Sequence, residues 1–260
     1  RDAIRGSHSA RYLEVADSSK LLIVFSQRGA GYTNPKRFSY SGEIVEPTFN
    51  RLLLRDMNGL WYHKGLDKLG NSLCESIEFL RRFIDDGGFK TVIILGVSSG
   101  SHAAFVAGAR IRVDAVICLG CRFDLSKGTR ERRGRRRTEK YAQLERLWTD
   151  HSIDRRYLKA RDAADEPGAA KSPVRLYYDP QCKGDVFHAG LVEDLPYVSS
   201  IHCHGYGHDA NRLSEVVFRS DTLLAGSARF LNHTERLDRK KLGAGSKLAT
   251  AVREIRGETE

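Results

Sequence analysis

The feature that most constrains the fold of this chain is a five-residue turn, GVSSG at residues 96–100, between a strand-like and a helix-like segment. Residues 90–96 (KTVIILG) form a nearly continuous aliphatic run, which is typical of a central parallel strand buried on both faces. Residues 101–109 are rich in alanine and other small residues and predict a helix. A G-x-S-x-G pattern in this context predicts a strained turn that lifts the Ser98 hydroxyl out of the sheet.

Segments with strand and helix patterns alternate along the rest of the chain, which is typical of a mostly parallel sheet covered by helices. Apolar residues three or four apart predict an amphipathic helix over residues 65–84, and further helices are expected at about residues 141–148 and 211–231. The remaining predicted strands are residues 20–26, 51–56, 113–119, 174–178 and 198–203. The fold class expected from this order is α/β, with a mostly parallel central sheet flanked by helices.

Length and charge set the expected domain organisation. With 260 residues the chain can form one large α/β domain, which we place at residues 1–235, followed by a charged tail at 236–260 that can lead into another module. The net charge of +10 is concentrated in the run KGTRERRGRRRTEK at residues 127–140. We interpret this run as a solvated segment. Binding of nucleic acid or another anionic polymer is the alternative, although no aromatic residues are interleaved to stack on bases.

The apolar runs and the cysteines indicate the cellular setting. The longest apolar runs have the length of strands, too short to cross a bilayer, and no segment has the pattern of a signal peptide. The five cysteines are odd in number, and Cys118 and Cys121 have zinc-like spacing but no second pair at finger distance. We therefore expect reduced thiols, no metal site, no cofactor and a cytoplasmic protein.

With this strand, turn and helix, the chain resembles the α/β-hydrolase superfamily over roughly residues 20–231. The resemblance implies that Ser98 is the nucleophile of a serine hydrolase. It also implies an oxyanion hole. The expected donors are the backbone N–H of Ser99 at the helix N-terminus and a second N–H from Gln27 or Arg28, in the glycine-rich loop after the first long strand.

In this superfamily the acid and then the histidine follow the nucleophile along the chain. His208 lies in the loop GYGHD after the last predicted strand, which resembles the position of the catalytic histidine. Asp185, in GDVFH, resembles the acid in a loop that leads into a helix. Asp179 at the end of the preceding strand and Asp124 just past strand 113–119 remain alternative acids.

Residues 123–173 lie where α/β-hydrolases insert caps that cover the site, and the basic character of this segment favours an anionic substrate. Trp61 and Tyr62 are candidate substrate-binding residues in the loop after the second long strand. The expected function is cleavage of a carboxylic ester or thioester through an acyl-enzyme, on a polar or glycan substrate. Transfer of the acyl group to another hydroxyl uses the same intermediate.

A second resemblance is narrower. The segments FSQRG, LLLRD and WY resemble α/β-hydrolase modules associated with bacterial surface-polysaccharide and glycoprotein assembly. A non-catalytic binding or scaffold module of a larger protein is therefore the alternative function, because a fold does not fix its function. Nucleic-acid binding through the arginine run is the third hypothesis, and the chain lacks a recognised motif for it.

Overall fold

The computed structural model describes residues 1–27, 48–128 and 139–220. In chain order the elements are α1 (Asp2–Arg5), β1 (Ala10–Leu13), β2 (Lys20–Phe25), β3 (Asn50–Leu54), α2 (Leu73–Gly87), β4 (Thr91–Val97), α3 (Ser99–Arg110), β5 (Ala115–Leu119), α4 (Glu139–Thr149), α5 (Ala160–Asp165), β6 (Val174–Tyr178), α6 (Lys183–Ala189), β7 (Val198–His202) and α7 (Ala210–Ser220). Residue 28, most of the basic run and the predicted tail lie outside the described residues, so predictions on them stay predictions.

The strands form one sheet in the order β1-β3-β2-β4-β5-β6-β7. β1 pairs antiparallel with β3, and every other neighbouring pair is parallel. The chain continues from β2 to β3 on one side and from β4 to β5 on the other. The crevice between the carboxyl ends of β2 and β4 is therefore the topological switch point, where open α/β sheets place their ligand sites. Ser98 directly follows β4 at this point.

Both faces of the sheet are covered, as the continuous aliphatic strands predict. Along β2, Leu21, Ile23 and Phe25 belong to a core cluster that also contains residues of α2 and α3. Leu22 and Val24 belong to a second cluster that includes residues of α7. The predicted fold class, a mostly parallel sheet flanked by helices, is confirmed.

One helix begins later than its apolar periodicity predicts. The prediction of a helix from residue 65 is wrong, because residues 65–72 form turns and α2 begins after them. The Ser72 side chain accepts a hydrogen bond from the N–H of Glu75, and the Glu75 carboxylate accepts one from the N–H of Asn71. These two hydrogen bonds fix the start of the helix in the manner of a capping box, although the Glu75 carboxylate reaches Asn71 instead of the N-cap residue Ser72.

Helices α4 and α5 belong to the segment 123–173 that is predicted as a cap-like insertion. Buried side chains of α4 and its flanks form a separate cluster with Leu60 and Trp61 from the loop after β3. The indole N–H of Trp148 donates to the carbonyl oxygen of Leu125 at 2.8 Å. Helix α4 and its flanks are therefore packed against the loop after β3, whereas α5 belongs to the core cluster that contains α3.

In the described ranges, no helix is both long and apolar enough to cross a bilayer. The five cysteines are free thiols. Cys118 and Cys121, which have zinc-like spacing, are buried in the core, and burial raises the pKa of both thiols. Both side chains therefore pack in the core as small apolar groups.

Candidate active site

The turn between β4 and α3 holds Ser98 in a strained backbone conformation. Its φ is 52° and its ψ is −106°, values that residues other than glycine rarely adopt. A β-carbon at Gly100 would lie 2.1 Å from the carbonyl oxygen of Phe25, and one at Gly96 would lie 2.5 Å from the β-carbon of Ala104. Both glycines are therefore required, because the turn packs directly against β2 and against its own helix.

The hydroxyl of Ser98 lies beside an imidazole from a distant part of the chain. Ser98 Oγ is 2.8 Å from Nε2 of His208, in the loop between β7 and α7. Nδ1 of the same ring lies 2.8 Å from each carboxylate oxygen of Asp185. An N–H on Nδ1 donates to the carboxylate, so the lone pair on Nε2 accepts the hydroxyl hydrogen. The structure thus brings the residues predicted as nucleophile, base and acid into one hydrogen-bonded chain.

Asp185 is the buried end of this chain of hydrogen bonds. Its side chain is 0% exposed, whereas that of His208 is 30% exposed. The sequence pattern predicts a position in a loop before a helix, but Asp185 lies in the first turn of α6. Nη1 of Arg122 donates to Oδ1 of Asp185 at 3.0 Å. This ion pair compensates part of the cost of burying the carboxylate.

The alternative acid Asp179 holds the loop that carries His208. Its two carboxylate oxygens accept hydrogen bonds from the backbone N–H groups of Gln181 and Gly207, at 2.9 and 2.7 Å. These backbone donors lower the pKa of the Asp179 carboxyl. Because Gly207 directly precedes His208, Asp179 fixes the backbone next to the imidazole.

The third candidate acid, Asp124, belongs to the start of the cap segment. Its Oδ1 accepts a hydrogen bond from the N–H of Ser126 at 2.7 Å, and its backbone forms an isolated antiparallel bridge with Lys159. Its own N–H donates to Nδ1 of His188 at 3.3 Å. Of the three candidate acids, Asp185 is the one whose carboxylate is held against the imidazole of the site.

Two residues of the site are missed by sequence reasoning. Gly120 has a φ of +68°, and a β-carbon there would lie 2.8 Å from Cε1 and 3.0 Å from Nδ1 of His208. The sequence signal that indicates Gly120 is its position directly after a buried strand. A glycine there often marks a place where another part of the chain or a ligand approaches the backbone closely. Arg122, two residues further on, forms the ion pair with Asp185, and its Nη2 lies 3.4 Å from Nε2 of His208.

Two of the three predicted oxyanion donors, Ser99 and Gln27, belong to the described residues. Ser99 is the first residue of α3, where backbone N–H groups have no partner within the helix and the helix dipole favours negative charge. Gln27 is half-buried and follows β2, whose last residue packs against the turn at Gly100. Arg28 lies outside the described residues. The crevice beside Ser98 thus contains a helix N-terminus and the end of β2.

Trp61 and Tyr62, the predicted substrate-binding pair, are buried, with 2% and 0% of their surface exposed. The hydroxyl of Tyr62 lies 2.9 Å from the carbonyl oxygen of Ser26 and 3.2 Å from that of Leu54. The carboxylate of Asp56 accepts a hydrogen bond from the N–H of Tyr62 at 3.1 Å, and burial raises the pKa of this carboxyl. Through these bonds the loop after β3 supports the end of β2.

Two further imidazoles, those of His102 and His63, form a pair near the site. His102, on α3, packs against His63 with ring centres 5.4 Å apart, and both side chains are fully buried. Nε2 of His102 is 2.8 Å from the carbonyl oxygen of Tyr157, and Nδ1 is 3.2 Å from that of Arg122. Burial lowers the pKa of His63 to about 4 and that of His102 to about 3. The neighbouring carbonyl oxygens raise both pKa values, but by less than burial lowers them. Both rings are therefore neutral near neutral pH.

Among the described residues, one group of side chains has the proximity that metal ligation needs. The ligand atoms of Cys182, Asp185 and His208 lie within 4.8 Å of one another. The guanidinium of Arg122 is 3.0 Å from the Asp185 carboxylate, and a positive charge at this distance disfavours a second cation. The group therefore fits proton transfer better than metal binding.

Comparison with known proteins finds structural neighbours. No family model and no curated protein matches the sequence. The capsule O-acetyltransferase of Neisseria meningitidis serogroup A, in complex with caged gadolinium, has a TM-score of 0.61 and 14% identity, over 83% of this chain and 91% of that chain. A histidine-to-alanine mutant of that enzyme in complex with CoA has a TM-score of 0.56 and 13% identity, with the same coverage. The Glycosylation Associate Protein (Gap123) complex from Streptococcus agalactiae has a TM-score of 0.53 and 13% identity, over 82% of this chain and 44% of that chain.

These similarities and the observed topology establish the fold of the protein. The acetyltransferase neighbour is an α/β-hydrolase fold protein, and this chain has the α/β-hydrolase fold. The resemblance seen in the sequence is thereby confirmed at the level of the fold. At identities this low the chemistry has to be argued from the site itself.

Proposed function

We propose that this chain is a serine enzyme that forms an acyl-enzyme on Ser98 from a carboxylic ester or a thioester. The main support is the continuous hydrogen bonding from Ser98 Oγ through His208 to Asp185, in contacts of 2.8 Å. A serine hydroxyl is a weak nucleophile until a base takes its proton, and this arrangement provides the base. Ser98 also lies at the switch point of the sheet, the place where open α/β folds bind their ligands.

In the first half-reaction Ser98 Oγ attacks the carbonyl carbon of the bound ester, and its proton passes to Nε2 of His208. The tetrahedral intermediate then collapses: the bond from the carbonyl carbon to the leaving oxygen or sulfur breaks, and Nε2 gives the proton to that leaving atom. Asp185 holds the Nδ1–H and stabilises the imidazolium between these two transfers. The acyl group is then covalently bound to Ser98.

The negative charge that develops on the carbonyl oxygen needs fixed donors. We assign the first to the backbone N–H of Ser99, at the N-terminus of α3. We assign the second to the backbone N–H of Gln27 or Arg28, since the end of β2 lies beside the turn. Loss of one such donor costs other serine enzymes about 10²–10³ in kcat.

In the second half-reaction an acceptor attacks the acyl carbon and His208 takes the acceptor's proton; the bond from the acyl carbon to Ser98 Oγ then breaks, and His208 returns the proton to Oγ. Water as the acceptor makes the protein a hydrolase, and a sugar hydroxyl makes it an O-acyltransferase. Similarity to a capsule O-acetyltransferase, a mutant of which has been solved in complex with CoA, favours a thioester donor and a glycan acceptor. We therefore place a polar or glycan alcohol among the substrates.

A non-catalytic binding or scaffold module is the second candidate function. Similarity to the glycosylation-associated complex favours it, because this chain spans 44% of that chain and corresponds to one part of a larger assembly. A scaffold needs no acyl chemistry. The two candidates therefore make opposite predictions for the reactivity of Ser98.

A fluorophosphonate probe, which reacts with activated serines, separates the two candidates. We expect it to label the wild-type protein and to leave Ser98→Ala unlabelled. Ser199→Ala, which changes an exposed serine on β7, is the matched control and should be labelled like the wild type. Labelling that persists in Ser98→Ala, or that is absent from the folded wild type, would contradict the acyl-enzyme and support the scaffold.

Hydrolase and transferase are distinguished by the fate of the acyl group. Acetyl-CoA and p-nitrophenyl acetate are each incubated with the protein, with and without a panel of polysaccharides. A transferase produces O-acetyl sugars that mass spectrometry detects, and donor turnover rises with the correct glycan. A hydrolase releases acetate at the same rate whether or not a glycan is present.

A further inference from the structure

Arg122 lies just after β5 and extends into the site described above. Its side chain is 13% exposed. Nη1 donates to the carbonyl oxygen of Cys121 at 2.9 Å and to Oδ1 of Asp185 at 3.0 Å. The protein itself thus satisfies the Nη1 group of this guanidinium.

The opposite edge of the Arg122 guanidinium has too few acceptors. Nη2 lies 3.4 Å from Nε2 of His208, which is long for a hydrogen bond. That nitrogen already accepts the hydroxyl of Ser98 at 2.8 Å, and a neutral imidazole offers one lone pair there. Nε of Arg122 is buried and has no partner within the described residues. Nη2, beside the reacting atoms, and the buried Nε are therefore under-used as donors, although leaving buried donors unpaired is costly.

The proposed reaction makes this shortage greater. When Nε2 of His208 takes the proton of Ser98, it becomes a donor itself, and two positively charged donors then face each other across 3.4 Å. The Asp185 carboxylate, which contacts Nη1 of Arg122 and Nδ1 of His208, offsets part of this repulsion, and a negatively charged acceptor beside Nη2 and Nε2 offsets more of it. The donors of the site therefore lack one acceptor, and an anionic oxygen next to Nη2 and Nε2 would supply it.

The leaving group is the part of the substrate that reaches this position. Nε2 of His208 must return its proton to the leaving oxygen, which requires a separation of about 3 Å. Atoms attached to that oxygen are consequently neighbours of Nη2 of Arg122. A guanidinium fork matches the geometry of a carboxylate or a phosphate, with which it can form two parallel hydrogen bonds.

We propose that Arg122 determines substrate specificity by binding a carboxylate or phosphate carried on the alcohol side of the ester. This inference rests on the proposed acyl-enzyme function and narrows its substrate class to esters of acidic alcohols, such as acidic sugars. In the acylation step the anion accepts a hydrogen bond from Nη2 of Arg122. This contact holds the substrate beside the imidazolium of His208. In the reverse direction the same contact orients an acidic alcohol as the acyl acceptor.

The test uses two acetate esters of nearly the same shape, of which one carries a negative charge. 3-Acetoxybenzoate carries a carboxylate on its leaving group, and 3-acetoxybenzamide has the same size without the charge. The wild-type protein should prefer the benzoate by about 10- to 100-fold in kcat/KM, the range of one charge-assisted hydrogen bond. The preference should fall to about one in Arg122→Gln and should be partly kept in Arg122→Lys.

A ratio between two esters separates specificity from support of the triad. Loss of the Arg122–Asp185 ion pair slows both esters together, which leaves the ratio unchanged. Arg112→Gln, at an exposed arginine after α3, is the matched control for net charge and should keep the wild-type ratio. A ratio near one in the wild type, or a wild-type ratio in Arg122→Gln, would overturn the proposal and leave Arg122 with the role of holding Asp185.

A binding measurement decides the inference without turnover. In Ser98→Ala, 3-hydroxybenzoate should bind about tenfold more tightly than 3-hydroxybenzamide by titration calorimetry, and the difference should vanish when Arg122→Gln is added. Equal affinities in Ser98→Ala would overturn the inference. If the fluorophosphonate probe fails to label the wild type while this binding difference is present, the acyl-enzyme is wrong and the anion site at Arg122 stands.

Discussion

Two histidine environments lie close to the same helix, and they differ in almost every physical respect. His208 lies against the turn before α3, is 30% exposed and contacts a hydroxyl on one side and a carboxylate on the other. His102, on α3 itself, is fully buried, packs against His63 and faces carbonyl oxygens. One imidazole has partners between which a proton can move, whereas the other two are isolated from solvent.

This difference shows that the neighbours of a histidine set its chemistry. A neutral ring between a serine and a carboxylate can take a proton and be stabilised when charged. Burial keeps His102 and His63 neutral by lowering their pKa values to about 3 and about 4. These two rings therefore stabilise the fold in the neutral form, and replacement should affect stability more than reactivity.

The largest expected effect separates these two environments directly. His208→Gln should lower the rate of acyl-enzyme formation by about 10⁶-fold, as loss of the base does in another serine enzyme, and should change the free energy of unfolding little. His102→Gln should lower the free energy of unfolding by about 1–3 kcal/mol, because it disturbs a buried hydrogen bond, and should leave the rate constant of the folded protein within about tenfold. Aryl acetate kinetics and urea denaturation measure the two quantities. Equal losses of rate in the two variants would contradict the distinction.

The two carboxylates after β6 provide the next comparison. Asp185→Asn should reduce kcat by about 10⁴-fold, because an amide N–H faces Nδ1 and favours the wrong tautomer of His208. Asp179→Asn keeps one acceptor oxygen for the loop N–H groups and should reduce kcat by about tenfold at most, while costing about 1–3 kcal/mol of stability. Kinetics combined with thermal unfolding of both variants check this order. A larger loss of kcat in Asp179→Asn would make Asp179 the acid.

A smaller effect is expected from the glycine that makes room for the imidazole. Gly120→Ala places a methyl group 2.8 Å from Cε1 of His208, and the resulting displacement of the ring should lower kcat by about 10²-fold. Gly168→Ala is the matched control, because Gly168 also has a positive φ (+80°) but nothing within 4 Å of the added β-carbon. Both variants carry similar backbone strain, so a similar kcat in both would show that the steric contact with His208 is unimportant.

The smallest effect is a dependence of stability on pH. The pKa values of His63 and His102 are lower in the folded protein than the unperturbed 6.5, so the unfolded chain binds more protons below about pH 6.5. The free energy of unfolding should therefore fall as the pH falls from about 7 to about 5, by up to about 1.4 kcal/mol per pH unit for each histidine. His102→Gln removes one contribution and should show a shallower slope in urea denaturation. Identical slopes in the two proteins would contradict the burial argument.

The nucleophile turn and the fold class are predictable from sequence because both depend on local patterns. The aliphatic run before Ser98 and the small residues after it specify a strand, a turn and a helix wherever the rest of the chain lies. The spacing of Ser72 and Glu75 also indicates the start of α2, but the prediction used only the apolar periodicity, which begins before them. Local patterns therefore predict the turn correctly, whereas apolar periodicity by itself places the start of α2 too early.

The choice of acid and the support of the imidazole depend on contacts between distant segments. Asp179, Asp185 and Asp124 all lie near strand ends in the sequence, and only the folded chain shows which carboxylate meets His208. Arg122 carries no motif of its own. Its role follows from the pairing of β5 with β6, which brings the two strand ends together. Sequence patterns do not encode such a meeting of segments.

The most direct test of the account is to locate the covalent intermediate. The protein is mixed with p-nitrophenyl acetate, quenched in acid and digested, and mass spectrometry searches the peptides for one added acetyl group. We expect the acetyl group on Ser98 in the wild type, its accumulation in a burst before steady state, and its absence in Ser98→Ala. An acetyl group on another residue, or turnover of the ester without acetylation of Ser98, would contradict it.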